Sequence, residues 1–265
     1  MSLHTVVHRQ LSELLAATQP GQEPAWLNNA LRLLAKYRST LLQNTLVHRE
    51  GATIRGGPFR GMQFVAHSAE GCHLPKLIGC YEAELQPHIE AAIGRGYDTI
   101  VNVGCAEGYY AVGLGLRLPG ARIFARDINP AAQEACRRVA ALNGIASRVT
   151  VDGRLDPSEL PGLAMGRTLL LCDIEGVEVE LLDPDRCPCL RELDIIVELH
   201  DVVRADISRV VPARFADSHT VTIVRQGIGA FDLPAMFSDL GHLDQLLAVW
   251  DWRSGPTPWG VFLAR

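Results

Sequence analysis

From Tyr81 onward the chain alternates short apolar runs with amphipathic stretches of about ten residues, and this alternation constrains the fold more than any other feature. After a helix expected over Tyr81–Ile93, the runs Thr99–Val103, Arg122–Asp127, Arg148–Val151, Thr168–Asp173 and Asp194–Leu199 read as strands. Between them the spacing predicts helices over Gly108–Arg117 and Pro130–Leu142, a short one near Pro157 and another from Val177. Helix Arg204–Ala213, strand Thr220–Arg225 and a last strand Trp259–Leu263 complete the series. The central runs are apolar on both faces (Thr-Ile-Val-Asn-Val, Leu-Leu-Leu-Cys, Ile-Ile-Val), as strands covered on both sides must be. Strands alternating with helices build a parallel sheet, and right-handed crossovers put helices on both of its faces. The expected fold class is α/β: a Rossmann-like, doubly wound, mostly parallel seven-stranded sheet.

Ahead of this series the pattern differs. Leu3, Val6, Val7, Leu11, Leu14 and Leu15 recur at helical spacing until Gln19-Pro20-Gly21 stops them. A second helix is expected from about Pro24 to Gly51, with Trp26, Ala30, Leu33, Leu34, Tyr37, Leu41 and Leu42 as its apolar stripe. From Gly51 to Gly71, short alternating stretches with Gly-Gly-Pro and Arg-Gly turns predict a small hairpin. The expected organisation is a helical and hairpin cap over 1–80 and a sheet domain over 81–265, which a chain of 265 residues can accommodate.

Composition narrows the function classes. Twenty-five Lys and Arg against 30 Asp and Glu leave a net charge of −5. That is the opposite of a nucleic-acid-binding footprint, and no nucleic acid partner is expected. No apolar run approaches the roughly 18 residues of a membrane span, and Met1 to Pro20 lacks a signal-peptide core. The expected address is cytoplasmic, with no membrane partner. Seven cysteines, an odd number without a CxxC pair, fit neither a disulfide framework nor a zinc ribbon. Cys187-Pro188-Cys189 reads as a reduced loop.

An open α/β sheet binds its ligand outside the carboxyl ends of its strands, so chemistry is sought there. The first strand ends in Gly104-Cys105-Ala106-Glu107-Gly108-Tyr109-Tyr110, where small residues let backbone approach a ligand and a helix start offers free N–H groups. A dinucleotide fingerprint would need glycine at 106 and 109, which are Ala and Tyr, so nicotinamide and flavin cofactors are disfavoured. Asp127 ends the second strand, where an acid can accept both hydroxyls of a ribose, and Ile128 beside it can pack on an adenine face. Asp152 ends the third, where an adenine edge would lie. Strand four ends in Asp173-Ile174-Glu175-Gly176 and strand five in Glu198-Leu199-His200-Asp201, so five ionisable groups converge on one sheet mouth. His200, with an ordinary pKa near 6.5, suits proton removal at neutral pH. A metal site of Asp173, Glu198 and His200 is not expected, because Glu198 is read as pointing away. The tryptophans at 250, 252 and 259 read as packing between the last strands and a helix.

These segments, VNVGCAEGYY, RDIN, NGI, LCDIEGVEVELL and IIVELHD, follow the order found in class I S-adenosylmethionine-dependent methyltransferases. The Asp-Ile-Glu-Gly followed by Val-Glu-Val-Glu resembles the FkbM-type members in particular, as does the Tyr81-Glu82 pair ahead of the first strand. The resemblance spans about residues 78–201. It implies the class I methyltransferase fold, with S-adenosylmethionine lying across Gly104, Cys105, Ala106, Glu107 and Gly108 and its ribose on Asp127. Glu82, Ile128, Asp152 and Asp173 complete the cofactor set that it implies. Two residues depart from the pattern: Asn102 stands where many members have Asp, and Ala106 replaces the middle glycine. Glu107 is the expected substitute carboxylate for the cofactor's ammonium. The implied activity is O-methylation of a small molecule or sugar hydroxyl, with Asp173, His200 and Glu175 as candidate proton acceptors. The competing classes are a nucleotide-dependent oxidoreductase on a related sheet and a non-catalytic cofactor-binding module. A homodimer through the N-terminal helices is a further expectation.

Overall fold

In the computed structural model, which describes residues 2–68, 71–227, 233–253 and 255–265, seven strands form one sheet in the order β3-β2-β1-β4-β5-β7-β6. The strands are β1 (Thr99–Val103), β2 (Arg122–Arg126), β3 (Val149–Asp152), β4 (Thr168–Cys172), β5 (Asp194–Glu198), β6 (His219–Val224) and β7 (Trp259–Ala264). The first five run parallel, and β7 inserts antiparallel between β5 and β6. The order reverses at β1, so β1 and β4 diverge to the two halves and their carboxyl ends leave a crevice.

The expected sheet is present, and its register explains the two-sided cores. Ile100, Leu169, Leu171, Ile196, Ile123 and Ala125 face one apolar layer, while Val101, Val103, Leu170, Cys172, Ile195 and Val197 face the other. Successive strand residues alternate faces, so an all-apolar strand supplies both layers at once.

Helices α1 (Leu3–Ala16) and α2 (Glu23–Glu50) follow the N-terminal expectation, and α3 (Leu74–Ile78) is a five-residue helix the periodicity did not show. Five residues hold too little of a 3.6-residue period to register. The helix expected from Tyr81 begins later, as α4 (Gln86–Arg95), because Glu82 takes a left-handed φ of 48° that breaks the turn. Between the strands lie α5 (Tyr109–Arg117), α6 (Pro130–Leu142), α7 (Leu160–Leu163), α8 (Glu178–Leu181) and α9 (Ile207–Phe215). Two short helices near the C-terminus, α10 (Ala235–Ser238) and α11 (His242–Ala248), were not expected.

Among the described residues, the hairpin expected over 51–71 comes down to one antiparallel bridge, Thr53 to Gln63, with flanking bonds from Ile54 N–H to Met62 and from Phe64 N–H to Ala52. Leu42, Leu46, Ile54, Phe59, Leu74 and Leu77 join the same apolar layer as Ile100 and Leu171. The tryptophans make a seam with α2: Lys36 lies over Trp252 at 5.0 Å and Arg32 over Trp250 at 5.8 Å. Among the described residues no helix is long and apolar enough to cross a membrane.

Candidate active site

The β1–α5 loop is shaped by three left-handed residues, Gly104 (φ 76°), Ala106 (φ 44°) and Gly108 (φ 88°). Gly104 has no alternative: a Cβ there would sit 1.6 Å from the carbonyl oxygen of Asp173. Gly108 starts α5 with Cys136 Sγ 2.8 Å from where its Cβ would be. The loop is tied to its neighbour by Asp127, whose two carboxylate oxygens accept the N–H groups of Ala106 and Asn129, each at 2.8 Å. One carboxylate at the end of β2 thus fixes both the loop and the start of α6.

A cavity of about 660 Å³ opens at this end of the sheet, lined among others by Gly104, Asp127, Ile128, Asp173, Glu175 and Arg186. Of the residues read as cofactor-binding, Gly104, Asp127, Ile128 and Asp173 line it. Cys105 and Gly108 are buried and Ala106 half-buried, all shaping the loop rather than the cavity wall.

Three candidates lie elsewhere. Asp152 pairs with Arg126 at 3.2 Å on the sheet's edge strand. Glu82 is 1% exposed and bound by Arg253 at 2.8 Å and by the Tyr110 hydroxyl. Glu107, expected to meet an ammonium, is fully buried and already holds the Lys76 ammonium at 3.0 Å and the Ser68 hydroxyl at 2.6 Å. Burial alone would raise its pKa, but the Lys76 charge, with His73 Nδ1 3.8 Å away and the Ser68 hydrogen bond, brings it down to about 2. The cation Glu107 neutralises is therefore the chain's own.

The ends of β4 and β5 meet around His200, which is 3% exposed. Its Nδ1 bonds Glu178 Oε1 at 2.6 Å, and Glu178 is itself fully buried. Its Nε2 faces Asp173 Oδ1 at 3.5 Å, Glu198 Oε2 at 3.5 Å and Glu175 Oε2 at 3.6 Å. Glu198 therefore does not point away: its carboxylate reaches the imidazole that follows two residues later, just past the end of β5. Asp201, the fifth expected group, turns aside to accept the N–H of Ser208 in the first turn of α9 at 2.9 Å. Arg253 stands behind the cluster and holds Glu198 at 2.5 Å as well as Glu82.

Burial and mutual repulsion set the protonation of this group. Burial raises Asp173 to about 7 against the pull of His200, and it raises Glu198 to about 8 with Asp173 adding to the effect. For His200 burial acts downward, but the Glu178 hydrogen bond and the charges of Glu198 and Asp173 overcome it and push the pKa up to about 9. With its pKa raised, the imidazole is not the ready base that its ordinary value suggested.

Arg253, Glu178, Lys76 and Ser68 were not identified from sequence. Only Glu178 carried a signal there, as the first glutamate of Val-Glu-Val-Glu; the others lie far from any motif.

No family model and no curated protein matches the chain. Solved structures similar to it include the O-methyltransferase from Bacillus cereus in complex with SAH, 13% identical over 66% of this chain and 78% of that one, with a TM-score of 0.47. The O-methyltransferase TomG from Streptomyces achromogenes in complex with SAM is 16% identical over 68% of this chain and 80% of that one, with a TM-score of 0.45. The human methyltransferase 10 domain containing protein is 13% identical over 87% of this chain and 96% of that one, with a TM-score of 0.48.

Proposed function

We propose that the chain is an S-adenosylmethionine-dependent methyltransferase acting on a hydroxyl of a small molecule or sugar. One juxtaposition carries the reading: Gly104 packs on the Asp173 carbonyl too closely for any side chain, and both line a cavity shared with Asp127 and Ile128. A volume of about 660 Å³ suits a ligand of cofactor size. A carboxylate accepts about four hydrogen bonds, so Asp127 keeps capacity for ribose hydroxyls after its two backbone bonds. Ile128, 79% exposed, offers an apolar face to an adenine.

When bound, the cofactor supplies a methyl group already activated by its sulfonium. The chain's part is to align the acceptor, exclude water and receive the hydroxyl proton. Asp173 and Glu175, which line the cavity with His200 Nε2 3.5 and 3.6 Å away, are the proposed acceptors. The net charge of −5 supports a small-molecule or glycan acceptor over a nucleic acid. Tyr109, where a dinucleotide fingerprint needs glycine, packs edge-on against Phe59 at 5.1 Å, which speaks against the oxidoreductase reading.

Calorimetry with S-adenosylhomocysteine tests the proposal. One site per chain is expected, with affinity reduced tenfold or more in Asp127→Ala. Binding of NAD without binding of S-adenosylhomocysteine would overturn it.

A further inference from the structure

We propose that Asp173, Glu175 and His200 form a binding site for a divalent transition-metal ion. One ligand atom from each lies within 4.8 Å of the others. The separations from His200 Nε2, 3.5 Å to Asp173 and 3.6 Å to Glu175, are long for hydrogen bonds. They suit atoms sharing an ion instead. Nitrogen and oxygen ligands stand about 2.1 Å from such a metal, which sets tetrahedral neighbours about 3.4 Å apart.

The imidazole supplies the second observation. Its side chain is 4% exposed, and among the described residues its Nε2 makes no hydrogen bond within normal range while facing Asp173, Glu175 and Glu198; a bound ion takes the place of the Nε2 proton, which is released to solvent. Its other nitrogen is held by Glu178 Oε1, which in turn accepts the N–H of Gly176 at 3.1 Å. A buried carboxylate on one imidazole nitrogen, leaving the other nitrogen as the donor, is the arrangement that orients metal-binding histidines. Entry is open, because Asp173 and Glu175 line the cavity.

The donor set selects the class of ion. One imidazole and two carboxylates favour Mn²⁺, Fe²⁺ or Zn²⁺ over Mg²⁺ and Ca²⁺, which take oxygen ligands. Three protein ligands leave coordination positions facing the cavity, as in sites that bind a water or a substrate oxygen. The site stands on its own residues and does not depend on the methyltransferase reading.

Titration of the chelator-treated full chain with Mn²⁺, followed by the electron paramagnetic resonance signal of free Mn²⁺, tests the inference, with Zn²⁺ and Mg²⁺ titrated by calorimetry. One Mn²⁺ per chain is expected, with Mg²⁺ at least tenfold weaker. Asp173→Asn, His200→Gln and the orienting variant Glu178→Gln should each weaken Mn²⁺ by about 10- to 100-fold. Glu175→Gln changes a side chain that is 81% exposed, so it carries the test if a buried variant unfolds. Absence of Mn²⁺ and Zn²⁺ binding below millimolar concentration, equal affinity for Mg²⁺, or unchanged Mn²⁺ affinity in the folded variants would each overturn it. S-adenosylhomocysteine binding by the same metal-free chain is measured in parallel, so failure of the metal site and failure of the cofactor reading are told apart.

Discussion

Glu107 sits in a loop where a ligand is expected, yet its carboxylate serves the fold. Its folded pKa of about 2 lies below the ordinary 4.5. The ionised form therefore stabilises the protein fully above pH 4.5, and that contribution is lost as pH falls toward 2. The gap corresponds to about 3 kcal/mol. Glu107→Gln should flatten the fall of the urea midpoint between pH 5 and about pH 2.5; an unchanged acid limb would remove the Lys76 pair as its cause. Gly104 makes the complementary steric case. Alanine there meets the Asp173 carbonyl in a left-handed conformation, so Gly104→Ala should cost about 3 kcal/mol or more by urea unfolding.

Among the elements, α2 shows which contacts matter. Leu46 is fully buried in the layer shared with the sheet, and Leu46→Ala should cost about 2–5 kcal/mol. The bidentate Arg38–Asp244 pair joins α2 to α11 but leaves Arg38 44% exposed, so Arg38→Ala should cost under about 1 kcal/mol. Chemical denaturation of the two variants side by side checks the contrast. The same elements show what patterning can reveal. The periodicity of α2 and α6 runs over many residues and was legible; α3, α10 and α11 are too short to repeat a pattern. The β4 and β5 ends were legible because charged side chains closing an apolar strand are conspicuous. The partners that set their pKa values were not, since nothing local to Glu198 announces Arg253.

Across the whole molecule, Arg253 is the residue that joins distant parts. It reaches Glu82 ahead of α4 and Glu198 at the end of β5, both buried, while α2 holds the adjoining backbone through Arg32 bonds to the Trp252 and Arg253 carbonyls. Its guanidinium pKa is raised despite burial, chiefly by those two carboxylates. Arg253→Ala would leave two buried acids without their cation. It should cost about 3–5 kcal/mol in urea unfolding at pH 8, and a loss below 1 kcal/mol would show the clamp to be dispensable.

The order of apolar runs by itself determined the layered parallel sheet and the end of it at which a ligand binds, because strand and helix periods and crossover handedness are local rules. It also put Asp127, Asp173, Glu175 and His200 at that end. Only the tertiary structure decided what state those groups are in. Glu178 and Glu198 raise the pKa of His200, Lys76 claims Glu107, and Arg253 arrives from a loop some 170 residues away from Glu82. Protonation depends on burial and on charges a few ångströms away, and the residues that supply them are brought together only by the fold.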